Sequence, residues 1–236
     1  MQILGIESSS LVASVALWKD DVIVAEYTVN HKKTHSQTLL PMLNEIVSLT
    51  QTDLKEIDAI ALSNGPGSFT GLRIGSATAK GLGLALGKPI VEVGTVEAMA
   101  YQCFGYNGLI CPIMDARRSQ VYTGLYRYDA KGTFSEVFGQ CALGVEELVE
   151  KLNTYPEPVL LLGDGVPVYK EMIERMAPGR FVYAPAFAAR QRAAAVASLG
   201  AVRFAQGLAI PAEASVPDYL RKSQAEREME EKEQRE

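Results

Sequence analysis

The sequence predicts an α/β fold made of two copies of one βββαβα-type unit. Two observations carry that reading. The order of strand-like and helix-like stretches in residues 1–104 recurs over residues 105–220, and mixed sheets with segregated helices seldom repeat by accident. Each copy also opens with an apolar strand that ends in a carboxylate just before a turn, at Glu7 in the first and Asp115 in the second.

The first copy is read as follows. Ile3-Leu4-Gly5-Ile6 is a strand closed by Glu7-Ser8-Ser9-Ser10, and residues 12–18 and 22–29 form a hairpin around Asp20-Asp21. A polar loop, His31-Lys32-Lys33-Thr34-His35, leads into a helix over 36–49. Leu39, Leu40, Leu43, Ile46 and Val47 give that helix one apolar stripe, with Pro41 in or just past the first turn. After a buried strand at 57–62, Asn64-Gly65-Pro66-Gly67 makes a loop, and Ser68 or Thr70 caps a second helix. A strand at 90–93 and a helix at 95–104 complete the copy.

The second helix has a small residue at every fourth position: Gly71, Gly75, Ala79, Gly83 and Gly87. Each glycine inside a helix costs roughly 0.5–1 kcal/mol relative to alanine, so the stripe needs a reason. Either it seats the helix tightly on its own sheet, or it lets another helix approach closely. Spacing alone leaves both readings open, and Arg73 and Lys80 argue against a membrane span.

In the second copy, strands are expected at 109–114, 120–128 and 133–141, with Asp129-Ala130-Lys131-Gly132 turning between the last two. A helix at 145–153, a strand at 159–162, a helix at 167–176, a short strand at 181–183 and a long alanine-rich helix at 188–206 follow. The last helix is placed with the second lobe or packed back on the first. From 221 to 236 the chain is a charged tail without apolar periodicity.

With 47% hydrophobic residues the chain has ample material for a core, and its net charge of −5 removes the simplest signature of a nucleic-acid binder. An RNA role would need a basic partner or a local patch. Cys103, Cys111 and Cys141 form no CxxC pair, which reads as reduced cytoplasmic thiols, and no apolar run suggests a membrane span.

The chemical motifs are weak. The glycine loop lacks the lysine of a Walker sequence and the third glycine of a dinucleotide fingerprint. Residues 67–71 are not a nucleophile elbow, and a catalytic Ser68 would need one of only two histidines as its base. His31 and His35 have a zinc-like spacing only if they share a helix turn, and no companion cluster appears. The two strand-end loops are more telling. Glu7-Ser8-Ser9 could bring amides to a phosphate, whereas the matching Asp115-Ala116-Arg117-Arg118 carries two arginines or is simply a solvated hairpin. No catalytic residue and no metal site is assigned.

Five blocks together resemble the TsaB (YeaZ-like) family: Ile3 to Ser9, His35 to Pro41, Asn64 to Gly75, Asp115-Ala116-Arg117, and Pro217-Asp218-Tyr219-Leu220-Arg221. The resemblance runs from Met1 to about Arg221 and implies the actin/Hsp70/sugar-kinase fold. It implies a non-catalytic partner of a TsaD-like transferase that places a threonylcarbamoyl group on adenosine 37 of tRNAs reading ANN codons. A small TsaE-like ATPase joins that assembly, tRNA is met only through the complex, and the free chain is open to homodimerisation. No cofactor is expected to bind tightly, with weak ATP or ADP at the partner interface as the open case. Glu7, Ser8, Ser9, Asp115, Arg117 and Arg118 become vestigial nucleotide loops. The partner surface falls on the first two helices, through Leu39, Leu43, Ile46, Gly71, Ile74, Gly75, Ala79 and Gly83. A stand-alone phosphotransferase and a glycoprotease-like peptidase are the rival readings.

Overall fold

A computed structural model describes residues 1–221, so the tail beyond Arg221 lies outside the described residues. The first half forms a sheet from β1 (Gln2–Glu7), β2 (Val12–Lys19), β3 (Val22–Asn30), β4 (Ala59–Gly65) and β5 (Ile90–Gly94), in the order β3-β2-β1-β4-β5. The second sheet contains β6 (Leu109–Asp115), β7 (Gln120–Tyr128), β8 (Phe134–Gly144), β9 (Val159–Leu162) and β10 (Phe181–Tyr183), in the order β10-β9-β6-β7-β8. From each central strand outward the two orders are the same. β1 and β6 each run antiparallel to the next strand in sequence and parallel to β4 and β9. Asp20 and Asp21 both adopt positive φ in the tight hairpin turn, as a two-residue loop of that hand requires.

Every residue of β1 and β4 is buried, because helices cover both faces of the sheet. On one face lie α1 (His35–Thr50) and α2 (Phe69–Leu86). Leu39, Met42, Leu43 and Ile46 of α1 pack there with Leu4, Ile6 and Leu62. Pro41 falls in the second turn of α1 on its exposed side, and the helix continues through it.

The opposite face of the first sheet receives α6 (Ala193–Ala205), which follows the second sheet in sequence. Its small side chains let it lie close, and a Cβ on Gly200 would run into Ala61. Conversely α3 (Thr95–Tyr101), from the first half, turns Val96, Met99 and Ala100 onto Ile110, Met114 and Tyr126 of the second sheet. The final helix of each half is thus shared across the lobe boundary. α4 (Val145–Asn153) and α5 (Val166–Met176) cover the other face of the second sheet.

Several boundaries differ from expectation, and β4 and β8 run on to Gly65 and Gly144. β4 begins at Ala59 because Asp53 first caps a 3-10 turn, Leu54–Glu56. α3 stops at Tyr101. α6 begins at Ala193, because the carbonyls of Ala188 and Arg190 accept from Gln102 and that of Ala189 accepts from Gly163 N.

Candidate functional site: the interlobe cleft

The ends of β1, β6 and β9 meet in a cleft of about 640 Å³ between the lobes. Its walls include Ser9, Ser10, Lys33, His35, the start of α2, Asp115, Arg117, Asp164 and Asp218 to Arg221. The strand-end carboxylates do the same local work in both halves. Glu7 Oε1 accepts from Ser9 N at 2.6 Å and Ser9 Oγ at 2.5 Å. Asp115 Oδ1 accepts from Arg117 N at 2.8 Å and from Tyr169 OH at 2.7 Å. In each loop the amide two residues past the strand end is therefore already bonded to that strand's own carboxylate.

The loops differ in their surroundings. Ser8 and Ser9 are fully buried, and Ser8 Oγ donates to Gly71 O at 3.0 Å. A Cβ on Gly75 would overlap Ser8 Oγ, and one on Gly71 would overlap Ser8 O. Ser9 O accepts from Ser68 N at 2.6 Å. Farther along the stripe Ala79 sits in the core, and a Cβ on Gly83 would lie 2.7 Å from the Ala212 Cβ. Gly87 ends the helix with φ 65°. By contrast Arg117, Arg118 and Ser119 are exposed and hold three successive positive φ angles.

The small-residue stripe is therefore internal. Gly71, Gly75, Ala79 and Gly83 face the β1–β2 loop, the core and the Ala212 turn, which corrects their assignment to a partner surface. Leu39, Leu43 and Ile46 are also core residues, at 1%, 5% and 3% exposure, and Ile74 is half-buried against the same cluster. The outward face of these helices instead carries Leu40 and Leu49 on α1 and Arg73, Ala77, Gly81 and Leu84 on α2. Gly81, with nothing within 4 Å of an added Cβ, marks that open side. Arg73 and Lys80, seven residues apart and so on one helix face, are the signal in the sequence for that outward side.

Burial pushes the Glu7 carboxyl up, against the bonds from Ser9, and likewise raises Asp164. Ser68 caps α2, its Oγ accepting from Gly71 N, while His35 Nε2 faces Ser10 O at 2.7 Å. A carbonyl only accepts, so Nε2 carries the proton and serves no serine. His31 lies exposed in the loop before α1, apart from His35. Among the described residues no group of three His, Cys, Asp or Glu is arranged for a metal. Burial raises the thiols of Cys103 and Cys111, to about 11 and about 12, so neither is a ready nucleophile. No helix among the described residues is long and apolar enough to cross a membrane.

Two sheets of matched strand order around one cleft define the actin/Hsp70/sugar-kinase-like class. The family model for TsaD, tRNA N6-adenosine threonylcarbamoyltransferase, matches residues 22–229. A Bacillus subtilis protein named tRNA threonylcarbamoyladenosine biosynthesis protein TsaB is 35% identical over 226 residues, covering 96% of both chains. The Escherichia coli protein of that name is 30% identical over 95% of this chain and 96% of its own. A Pseudomonas aeruginosa crystal structure, described as similar to the peptidase YeaZ, superposes with a TM-score of 0.80 at 28% identity, over 93% of this chain and 99% of that one. The chain belongs to the TsaB family.

Proposed function

We propose that this chain is a non-catalytic partner of a TsaD-like transferase in forming threonylcarbamoyladenosine in tRNA, working in the cytoplasm. The names of its relatives support the pathway. The observation that carries the non-catalytic role is the self-capped pair of loops. Phosphate cradles work through free amides, and here Ser9 N and Arg117 N are already bonded to Glu7 and Asp115. On this reading both are vestigial nucleotide loops. The net charge of −5 gives little counterion release on meeting RNA, so tRNA is met through the complex.

The docking surface on this reading is the outward face of α1 and α2, where Leu40, Leu49 and Leu84 are exposed beside the side-chain-free Gly81. Gly81→Leu tests it. At an open helical site the change is neutral or slightly stabilising, by roughly 0.5–1 kcal/mol, so the fold stays intact. Wedging a close helix contact costs roughly 1–3 kcal/mol of association. A folded Gly81→Leu protein that binds a TsaD-like transferase as tightly as the parent would remove this surface from the proposal.

A further inference from the structure

We infer that Ser215–Arg221 is an interlobe latch, fixed to the first lobe at one end and releasable from the second lobe at the other. The segment crosses the mouth of the cleft and supplies Asp218, Tyr219, Leu220 and Arg221 to its wall. Its contacts with the two lobes are very unequal.

On the first lobe, Ser215 O accepts from Lys80 Nζ at 2.9 Å. Ser215 Oγ and Val216 N both donate to Glu92 Oε1, at 2.8 and 3.1 Å. Asn64 then brackets the chain: its Nδ2 donates to Val216 O at 2.9 Å, and its own carbonyl accepts from Asp218 N at 2.8 Å. The backbones are so close there that a Cβ on Gly65 would overlap Asp218 O. Tyr219 finally packs against Phe69 with ring centroids 4.7 Å apart and planes tilted by 32°, and its hydroxyl accepts from Arg73 Nε at 3.3 Å.

Among the described residues the segment makes two hydrogen bonds to the second lobe. Gln140 Nε2 donates to Asp218 Oδ2 at 2.9 Å in an exposed position. Arg221 Nη1 donates to Ala116 O at 2.7 Å. Ala116 is itself buried, but it heads the turn whose next three residues hold positive φ and stand in solvent, so the receiving carbonyl sits at the root of a protruding loop. Sub-global opening follows the weakest set of contacts. The end that opens is therefore the Arg221 end, and the event exposes the cleft lined by Asp115 and Asp164.

Hydrogen exchange on the full chain tests this with Arg221→Ala and Arg221→Lys. The latch predicts that Arg221→Ala speeds amide exchange over 116–121 and 219–221 by about tenfold or more, with β1, β4 and β6 unchanged. Asp218 N is the diagnostic amide, since its bond to Asn64 O is on the fixed side and exchanges less than the Arg221 end. Arg221→Lys, which keeps a cationic donor, restores part of the protection. Exchange over 116–121 within about twofold of the parent would overturn the latch. So would a uniform rise that includes β1 and β6, because that would make Arg221 a general structural anchor.

Discussion

The β1–β2 loop and the β6–β7 loop occupy matching places in a duplicated fold, and both cap the amide two residues on with the strand's own carboxylate. Only the first is buried. The reason lies in the helix opposite each. α2 offers Gly71 and Gly75, so Ser8 can sink onto its backbone. α5 offers Tyr169, whose hydroxyl reaches Asp115 instead. The same local turn is thus an internal brace in one lobe and a solvent-exposed projection in the other. What decides between them is the presence or absence of side chains some fifty to seventy residues away in the sequence.

The largest expected effect comes from filling the seat. Gly75→Leu places a side chain where Ser8 Oγ already stands. Overpacking with backbone displacement destabilises by about 1–3 kcal/mol, occasionally more, and here the fully buried loop cannot move aside. We expect the upper end or loss of soluble protein, read by thermal unfolding. A Gly75→Leu protein that melts with the parent would return the stripe to the surface.

Removing the brace of the second loop has a smaller effect. Tyr169→Phe deletes the hydrogen bond to the Asp115 carboxylate, and a bond to a charged group is worth about 1.5–3 kcal/mol at most. Because the loop is exposed, urea unfolding is expected to show the low end of that range. A loss as large as that of Gly75→Leu would mean the two loops are equally built in.

Glu7→Gln sharpens the comparison through pH. Burial raises the Glu7 carboxyl above its ordinary value of 4.5, so the folded chain holds that proton more tightly than the unfolded one. Its stabilising influence is full below 4.5 and is lost as pH rises through the folded value. Glutamine keeps the oxygen that accepts from Ser9 and does not titrate. Glu7→Gln should therefore raise Tm at pH 8 by several degrees and by less at pH 5. An equal gain at both pH values would contradict a raised Glu7.

The smallest change is in the projecting turn. Arg117 holds φ 65°, which costs a non-glycine residue roughly 1 kcal/mol. Its guanidinium is 87% exposed and stands 3.6 Å from Asp115 Oδ2. Arg117→Gly should stabilise by up to about 1 kcal/mol, less the weak surface pair. A loss of stability would show that the arginine is held by more than its backbone.

Much of this was legible in the sequence, because it is written in local period and punctuation. The Asp20-Asp21 hairpin, the ends of α4, β9 and β10, and the repeat of element order follow from alternation, helical stripes and turn residues. The direction of the α2 stripe was not legible. Arg73 and Lys80 give the helix a charged flank, but close packing on its own chain and on a partner ask for the same small residues, and what meets them here, Ser8 and Ala212, is far away in the chain. Nor does an alanine-rich run such as α6 state which sheet it will join. The bonds from Asn64, Gln140 and Arg221 that make the latch join residues 78 to 152 positions apart, a separation that no window of sequence spans.

On the proposed function, a chain whose strand-end carboxylates already hold an amide of each loop supports the chemistry without performing it. The direct measurement is threonylcarbamoyl transfer to an ANN-decoding tRNA, with this chain alone, with a TsaD-like transferase alone, and with both, in the presence of the TsaE-like ATPase. No product is expected from this chain alone, and product is expected to rise at least about tenfold, a shift of about 1.4 kcal/mol, when it joins the transferase. Transfer by this chain without the transferase, or transfer by the transferase at the same rate without this chain, would contradict it.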